Sequence, residues 1–385
     1  MNISDKYTLQ FFINDDTNDL FKIPGAQIDS IDIYEDVYKG LPTFSCNLII
    51  PKDYFNAQMF VDGTVFKIVL NSEEMGIEGK YTFRCWNITN ITQLDDIVQV
   101  SLDGVLDVYP IYEDANKYND FANTSDIFKK IATDLNVSKF DIDCTLDQQL
   151  WVAGRRNVFQ FLHHLSKYGY INETSSMFWF FDKEKRLIYK DFSKLLKEKT
   201  ANVFKMQKRL IGDRANRIFG YVTESVEMTA GTDNIKNGGY GNDFDVFNLL
   251  TYSDEVIHAN KVIAESKVIN ISKELSNGLN YDWFSFDVGN FHEHYYLAYA
   301  QNRRIKSTYS TYINLGFQYL QEFRLGEVVE VEYKNNGNSN NKSDTFSMLG
   351  FIGSIHTIIT PDSVSAEVQV VSQGVNTKSD SVTNY

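Results

Sequence analysis

A chain of 385 residues has room for two or three domains of ordinary size, and 43% hydrophobic with 23% charged residues is the composition of a globular protein able to bury real cores. The formal net charge of −14 excludes a sequence-reading nucleic-acid binder, which needs a basic footprint to displace counterions; it keeps the chain soluble and is compatible with a wall past which DNA slides without sticking. Cys46, Cys85 and Cys144 are odd in number and show no CxxC spacing, which argues against a disulfide framework or a zinc site.

Residues 1–110 read as short strands between turns. Ile28 to Tyr34 alternates imperfectly, and Thr43 to Ile50 alternates well until Pro51 stops it. Between them, Val37-Tyr38-Lys39-Gly40-Leu41-Pro42 carries both strong turn residues. Val65 to Leu70, Tyr81 to Trp86 and Ile97 to Leu102 continue the series, and Pro110 closes it. Short, regularly punctuated strands predict a small antiparallel β-barrel or sandwich. The opening Met1-Asn2-Ile3-Ser4-Asp5-Lys6-Tyr7 lacks a basic region followed by an apolar core, so no signal peptide is expected. No apolar run approaches the ~20 residues that span a bilayer.

The period changes in residues 111–202, which read as an α+β domain. Thr124-Ser125-Asp126 offers a cap for a helix with Ile127, Phe128, Ile131 and Leu135 on one face. In a second helix Asn157 is the N-cap and Val158, Phe161, Leu162 and Leu165 form one stripe. Gly169 stands in the place of a left-handed C-cap residue. A hairpin follows, from Met177–Phe181 through a turn to Arg186–Tyr189; its five consecutive apolar residues predict a strand covered on both faces.

Strand-like alternation returns in residues 203–229, clearest at Ile218 to Val222. Ala230 to Asp245, with Gly231, Gly238, Gly239 and Gly241, reads as a mobile loop. Residues 246–291 are ambiguous, and Glu255 to Glu274 fits either a helix or two strands. Glu293 to about Ser310 reads as a helix, so 230–309 is an inserted α+β region. Strands resume in 310–372, with Asn335 to Asn341 as a polar hairpin tip, and 373–385 is a flexible tail.

One pattern occurs near both ends. Phe60-Val61-Asp62-Gly63-Thr64-Val65 precedes Ile88-Thr89-Asn90-Ile91 and Asp96-Ile97-Val98. Phe323-Arg324-Leu325-Gly326-Glu327-Val328 precedes Ile352-Gly353-Ser354-Ile355 and Asp362-Ser363-Val364. In each copy a glycine leads a strand, a second strand returns, and an acidic residue opens a third. The copies lie too far apart for a solenoid repeat of about 20–50 residues. A small β-unit used twice points to a symmetry device. The fold class is therefore α+β and β-rich: two similar small antiparallel β-barrels, the second split between 203–229 and 310–372 by an insertion, plus an α+β domain. If Gly63 and Gly326 occupy equivalent positive-φ turns, valine at either costs a similar ~1–3 kcal/mol.

Catalytic chemistry is not legible. On a strand, His292 and His294 of His292-Glu293-His294 would share a face and could reach one ion, but no third ligand is identifiable, and polar residues at a helix start explain the cluster as well. His163 and His164 are helix neighbours about 100° apart and cannot chelate together. There is no GxSxG elbow, and no cysteine has a His partner nearby in sequence. Gly238-Gly239-Tyr240-Gly241 lacks the Lys-Ser/Thr of a phosphate loop. Asp141 with Asp143, and Glu330 with Glu332, are carboxylate pairs of the kind a wet strand face carries; a glycosidase needs such a pair across a cleft. Asn14 to Asp19 lacks the glycine and glutamate of a calcium loop. No catalytic, cofactor or metal residues are assigned; the structural candidates are Gly63, Gly326, Asn157 and Gly169.

The order of units resembles the central baseplate hub of contractile-tailed phages, the T-even-type myophage hub above all. More distantly it resembles the amino-terminal half of the valine-glycine-repeat spike of type VI secretion. Three stretches carry the resemblance. Asp36-Val37-Tyr38-Lys39-Gly40 leads into the strand Thr43 to Ile50. Trp151 and Asn157 lead through the capped helix to Phe178-Trp179-Phe180 and Ile188 to Asp191. Glu293 leads through Tyr299-Ala300-Gln301, Arg303 and Ser307-Thr308 to Leu325-Gly326-Glu327-Val328-Val329-Glu330-Val331.

The resemblance implies a homotrimer whose two barrels per subunit make a pseudo-sixfold ring. That ring would join a sixfold tail tube to a threefold central spike around a channel that DNA later passes. The partners it implies are the chain itself, the tail tube protein, the spike and other baseplate proteins, with DNA only in transit and no membrane. Its place would be the virion, after synthesis in the host cytoplasm. A lysozyme domain and a spike β-helix would have to be separate partners. An aromatic-rich β protein without catalytic groups also fits a carbohydrate- or receptor-binding tail module, and a cell-wall glycan hydrolase is a third class.

Overall fold

The computed structural model describes residues 2–3, 7–14, 20–22, 27–55, 60–72, 77–137, 139–197, 203–210, 212–213, 215–228, 242–248, 253–258, 280–287, 292–309, 311–318, 322–334 and 345–372. Its first strands are β1 (Asn2–Ile3), β2 (Tyr7–Asn14), β3 (Leu20–Lys22), β4 (Gln27–Asp36), β5 (Thr43–Pro51), β6 (Val65–Ser72), β7 (Ile77–Leu94) and β8 (Ile97–Leu106). Alternation is what curls them around a core. In β5, Phe44, Cys46, Leu48 and Ile50 are buried while their neighbours are half-exposed, as period-two side-chain placement requires. The neighbours pair antiparallel in the order β2-β6-β7-β8-β5-β4. Phe66, Ile68, Phe83, Val98 and Val100 close that core.

The chain then forms β9 (Asp120–Ala122), α1 (Thr124–Asp134), β10 (Phe140–Ile142), β11 (Gln149–Trp151), α2 (Val158–Tyr168), β12 (Met177–Phe181), β13 (Leu187–Asp191) and α3 (Phe192–Lys197). Every residue of β12 is buried. The reason is that its two faces enter different cores. Met177, Trp179 and Phe181 pack with α1 and α2, whereas Phe178 and Phe180 pack with strands near the chain's far end.

The remaining elements are β14 (Phe204–Lys208), β15 (Ile218–Tyr221), β16 (Thr223–Met228), β17 (Asn242–Asn248), β18 (Ser253–His258), β19 (Asn280–Asp287), α4 (Tyr295–Thr308), β20 (Thr311–Phe317), β21 (Val328–Lys334), β22 (Thr345–Ile359) and β23 (Val364–Ser372). Strands β14–β16 and β20–β23 join β1–β8 in a single 15-stranded sheet. The link is β4 against β22, antiparallel, with Ile31 opposite Ile359 and Asp36 opposite Ser354.

Several local expectations change. β14 runs parallel to both β15 and β21, so the second β-unit is mixed at that strand where the first is antiparallel. β14 and β21 lie far apart in the chain, and the long stretch between them is the crossover that parallel neighbours need. Asn242 to Asp245, read as loop, are the start of β17, which pairs with β18 antiparallel and β19 parallel. Ser253–His258 is a strand, while most of Glu255 to Glu274 lies outside the described residues. The same holds for most of the predicted 230–245 loop, the 335–341 tip and the 373–385 tail.

Candidate assembly site

The two glycine corners have the same wiring. Gly63 has φ 89° and Gly326 has φ 77°, conformations that glycine adopts without strain. The Gly63 N–H donates to the Cys85 carbonyl at 2.8 Å, and the Cys85 N–H returns a bond to the Thr64 carbonyl at 2.8 Å. The Gly326 N–H donates to Ile352 at 2.8 Å, and the Ile352 N–H returns to Glu327 at 2.9 Å. Gly63, Thr64 and Cys85 thus take the places of Gly326, Glu327 and Ile352.

The equivalence extends along the strands. β6 meets β7 with Val65 opposite Arg84, and β21 meets β22 with Val328 opposite Phe351. A bulge follows each corner: Trp86 is the extra residue in β7 and Gly353 in β22. Ile88 then pairs with Leu102 as Ile355 pairs with Val368. The sequence pairing of Ile88 with Ile352 is therefore three residues out of register; the stretch between β6 and β7 is shorter than that between β21 and β22, so distance from the glycine does not fix the register. One strand further, Phe44 of β5 opposes Gly104 as Ile313 of β20 opposes Val370. Beyond that, Ile33 of β4 opposes Phe44 as Val226 of β16 opposes Ile313.

The surroundings of the two glycines differ. A Cβ on Gly63 meets nothing within 4 Å, whereas one on Gly326 lies 2.8 Å from the Phe180 ring and 2.9 Å from Phe192. The expectation of equal cost at both corners is accordingly revised.

Where β4 meets β22, the polar contacts are specific. Tyr34 stacks on His356 with ring centroids 4.0 Å apart, and His356 Nε2 lies 2.9 Å from Asp32 Oδ1. Glu35, opposite Ile355, is buried. That burial pushes its carboxyl up to about 7, against the opposing pull of the Lys183 charge and backbone N–H. An acid raised in the folded state stabilises the fold fully below its ordinary value of 4.5, and that contribution is lost as pH rises through about 7. In urea unfolding, Glu35→Gln should match the wild type at pH 5 and exceed it at pH 8 by about 2–3 kcal/mol. Equal stability of the two at pH 8 would contradict this.

The turn after β4 binds all three cores together. The Val37 N–H donates to Gly353 at 2.9 Å, and the Phe181 N–H to Gly40 at 2.7 Å. Gly40 has φ 80° and leaves only 2.9 Å between a notional Cβ and the Trp179 ring.

In the α+β module, Asn157 caps α2. Its side chain accepts from the Gln160 N–H at 2.9 Å, and the Gln160 side chain accepts from the Asn157 N–H at 3.2 Å. Gly169 does not adopt the left-handed C-cap conformation: its φ is −67° and ψ 129°. Glycine is there because a Cβ would collide with the Tyr189 hydroxyl. Nor do Thr124-Ser125-Asp126 cap α1. The helix begins at Thr124, and its first N–H groups are met by Asp147 Oδ1 at 2.8 Å and Thr145 Oγ1 at 3.0 Å. Asp147 is fully buried; it also accepts from the Thr145 hydroxyl and, through Oδ2, from the Tyr170 N–H. Sequence reading missed Asp147 because its partners are distant in the chain.

The histidines and paired carboxylates have structural partners. His292 Nε2 contacts the Tyr168 carbonyl at 3.1 Å, and His294 stacks on Tyr170 at 4.2 Å. His163 packs edge-on to Phe159 and Trp179. Burial lowers His164 to about 4, aided by Arg156 and Lys167. Asp141 pairs with Lys190 at 2.8 Å, Asp143 accepts from the Asp191 N–H, and Glu330 and Glu332 share Lys205. A cleft of about 210 Å³ between α2, α4 and the turn at Val37–Tyr38 is lined by His163, Lys167, Trp179 and Asn302, with no carboxylate among the described lining residues. It is smaller than ordinary ligand pockets.

No family model and no curated protein matches the chain, but solved structures do. The 43 kDa tail protein of prophage MuSo2 from Shewanella oneidensis aligns over 95% of this chain and 99% of its own, at 9% identity and a TM-score of 0.57. The tail protein from Neisseria meningitidis MC58 aligns over 94% and 96%, at 10% identity and a TM-score of 0.55. A lidless PdpA–VgrG complex aligns over 100% of this chain and 67% of its matching chain, at 10% identity and a TM-score of 0.50. At such identities the likeness is one of fold: the chain has the β-rich architecture found in phage tail proteins and in that VgrG complex.

Proposed function

We propose that this chain is a structural tail protein of a contractile injection particle, a homotrimeric hub that joins a sixfold tube to a threefold spike. The observation that carries the reading is the shared wiring of the Gly63 and Gly326 corners within one continuous sheet. A subunit that presents the same β-unit twice offers six similar surfaces per trimer, which meets a sixfold partner without six chains. On this reading residues 1–110 form the first barrel, 203–229 with 310–372 the second, 111–202 the α+β domain and 230–309 the insertion. The protein is not an enzyme, binds no cofactor and resides in the virion baseplate beside tube, spike and other baseplate proteins. Its net charge of −14 per chain supports a channel wall to which passing DNA does not adhere.

Light scattering coupled to size exclusion tests the reading. A particle of about three times the 44.4 kDa chain mass is expected, with a holed, threefold or near-sixfold projection by electron microscopy. A stable monomer at micromolar concentration would count against it. Clearing of a peptidoglycan suspension would favour a hydrolase instead.

A further inference from the structure

Among the described residues the chain contains one complete junction between its two β-units and the two unjoined halves of another. In β22, one edge pairs with β23, and the opposite edge pairs first with β21 and then, over Ser354–Ile359, with β4. β7 is laid out in the same way: one edge pairs with β8, and the other with β6 as far as Arg84. Past that point, among the described residues, nothing pairs with β7 where β4 would lie. Likewise β16, the counterpart of β4, pairs with β20 on one edge and with no described strand on the other.

The β7 edge is built to be covered, and an apolar side chain stands open on β16 as well. Trp86, Ile91 and Leu94 on β7 are 51%, 43% and 52% exposed, and Val226 on β16 is 40% exposed. The stretch Trp86-Asn87-Ile88-Thr89-Asn90-Ile91-Thr92-Gln93-Leu94 contains no charged residue and no proline, the devices that guard a permanently free edge. Registers taken from β8 and β23 equate Ser101 with Glu367. These oppose Asn90 and His356 respectively, so Ile91 takes the place of Thr357. At the complete junction Thr357 lies opposite Ile33, and they are 1% and 0% exposed. The counterpart of Ile33 is Val226.

We propose that β16 of one chain adds antiparallel to residues 87–93 of β7 in a second copy, with Ile91 opposite Val226, Asn90 opposite Glu227 and Thr92 opposite Ser225. The occupant is a second copy because the chain's own β4–β22 junction supplies the register. The facing pairs oppose amide to carboxylate and apolar to apolar, with no like charges. The contact is head-to-tail, so it closes into a ring or continues as a filament. This deepens the hub reading and rests on it for closure at three chains.

The test is a disulfide in a Cys144→Ser background, since Cys46 and Cys85 are buried and Cys144 is the exposed thiol. Directly opposed positions bring Cβ atoms within bonding range, whereas a two-residue offset does not. Ile91→Cys with Val226→Cys should oxidise to a covalent ladder ending at three chains. Gln93→Cys with Val226→Cys should cross-link about tenfold less. Mixing the two single variants, Ile91→Cys and Val226→Cys, should give covalent dimers that neither gives alone. Light scattering without oxidant separates the failures. Trimers that do not cross-link at 91 and 226 overturn the edge pairing and leave the hub intact. Monomers without cross-links overturn both. A ladder continuing past three chains keeps the pairing and overturns the trimeric ring.

Discussion

Gly326→Val is expected to destabilise the fold by about 3–5 kcal/mol, and Gly63→Val by only about 1–2 kcal/mol. Both substitutions force a β-branched residue into positive φ, at 77° and 89°. Only at Gly326 does the new side chain also meet the Phe180 and Phe192 rings, both buried where the α+β module packs on the second β-unit. Those rings sit in a close-packed core that does not yield cheaply. Denaturant unfolding of the two variants side by side measures the difference. Equal losses would mean that the core relaxes around the added methyl groups.

Gly169→Ala should cost about 3 kcal/mol through overpacking alone, because the glycine φ of −67° suits any residue. The obstacle is the Tyr189 hydroxyl, which is buried and has no hydrogen-bond partner among the described residues. Tyr189→Phe removes an unsatisfied polar atom and is expected to be neutral or mildly stabilising. The double variant should recover more than half of the loss, a coupling of at least about 1 kcal/mol. Additive effects would place the strain on the Tyr189 ring carbon that bears the hydroxyl, 3.1 Å from the same Cβ position and kept in phenylalanine.

The parts of the fold legible in sequence were those governed by short-range rules. Period-two alternation located β5 and β8, the apolar stripe and Asn157 located α2, and the five-residue apolar run announced a strand buried on both faces. The repeat was legible because its glycine corners recur with the same neighbours. What escaped were features fixed by partners far along the chain. The unequal stretches between β6 and β7 and between β21 and β22 hid the register of the middle strand of the repeat. The parallel pairing of β14 with β21 joins strands that lie far apart in the chain. Asp147 reaches Thr124 and Tyr170 from a loop with no motif of its own. The exposed edges of β7 and β16 have meaning only beside the occupied edge of β22.

The pairing of Ile31 with Ile359 also bears on how the molecule is made. β4 leaves the ribosome early and β22 late, so the strand that fuses the two β-units waits for nearly the whole chain. Contacts this distant in sequence are slow to form. Until β22 arrives, β4 is itself an open edge, able to capture stray strands. The buried, uncharged form of Glu35 suits the finished junction, whereas its ionised form in the unfinished chain puts a negative charge on that edge. The same carboxyl would thus act as a guard during synthesis and become a buried group once the sheet is complete.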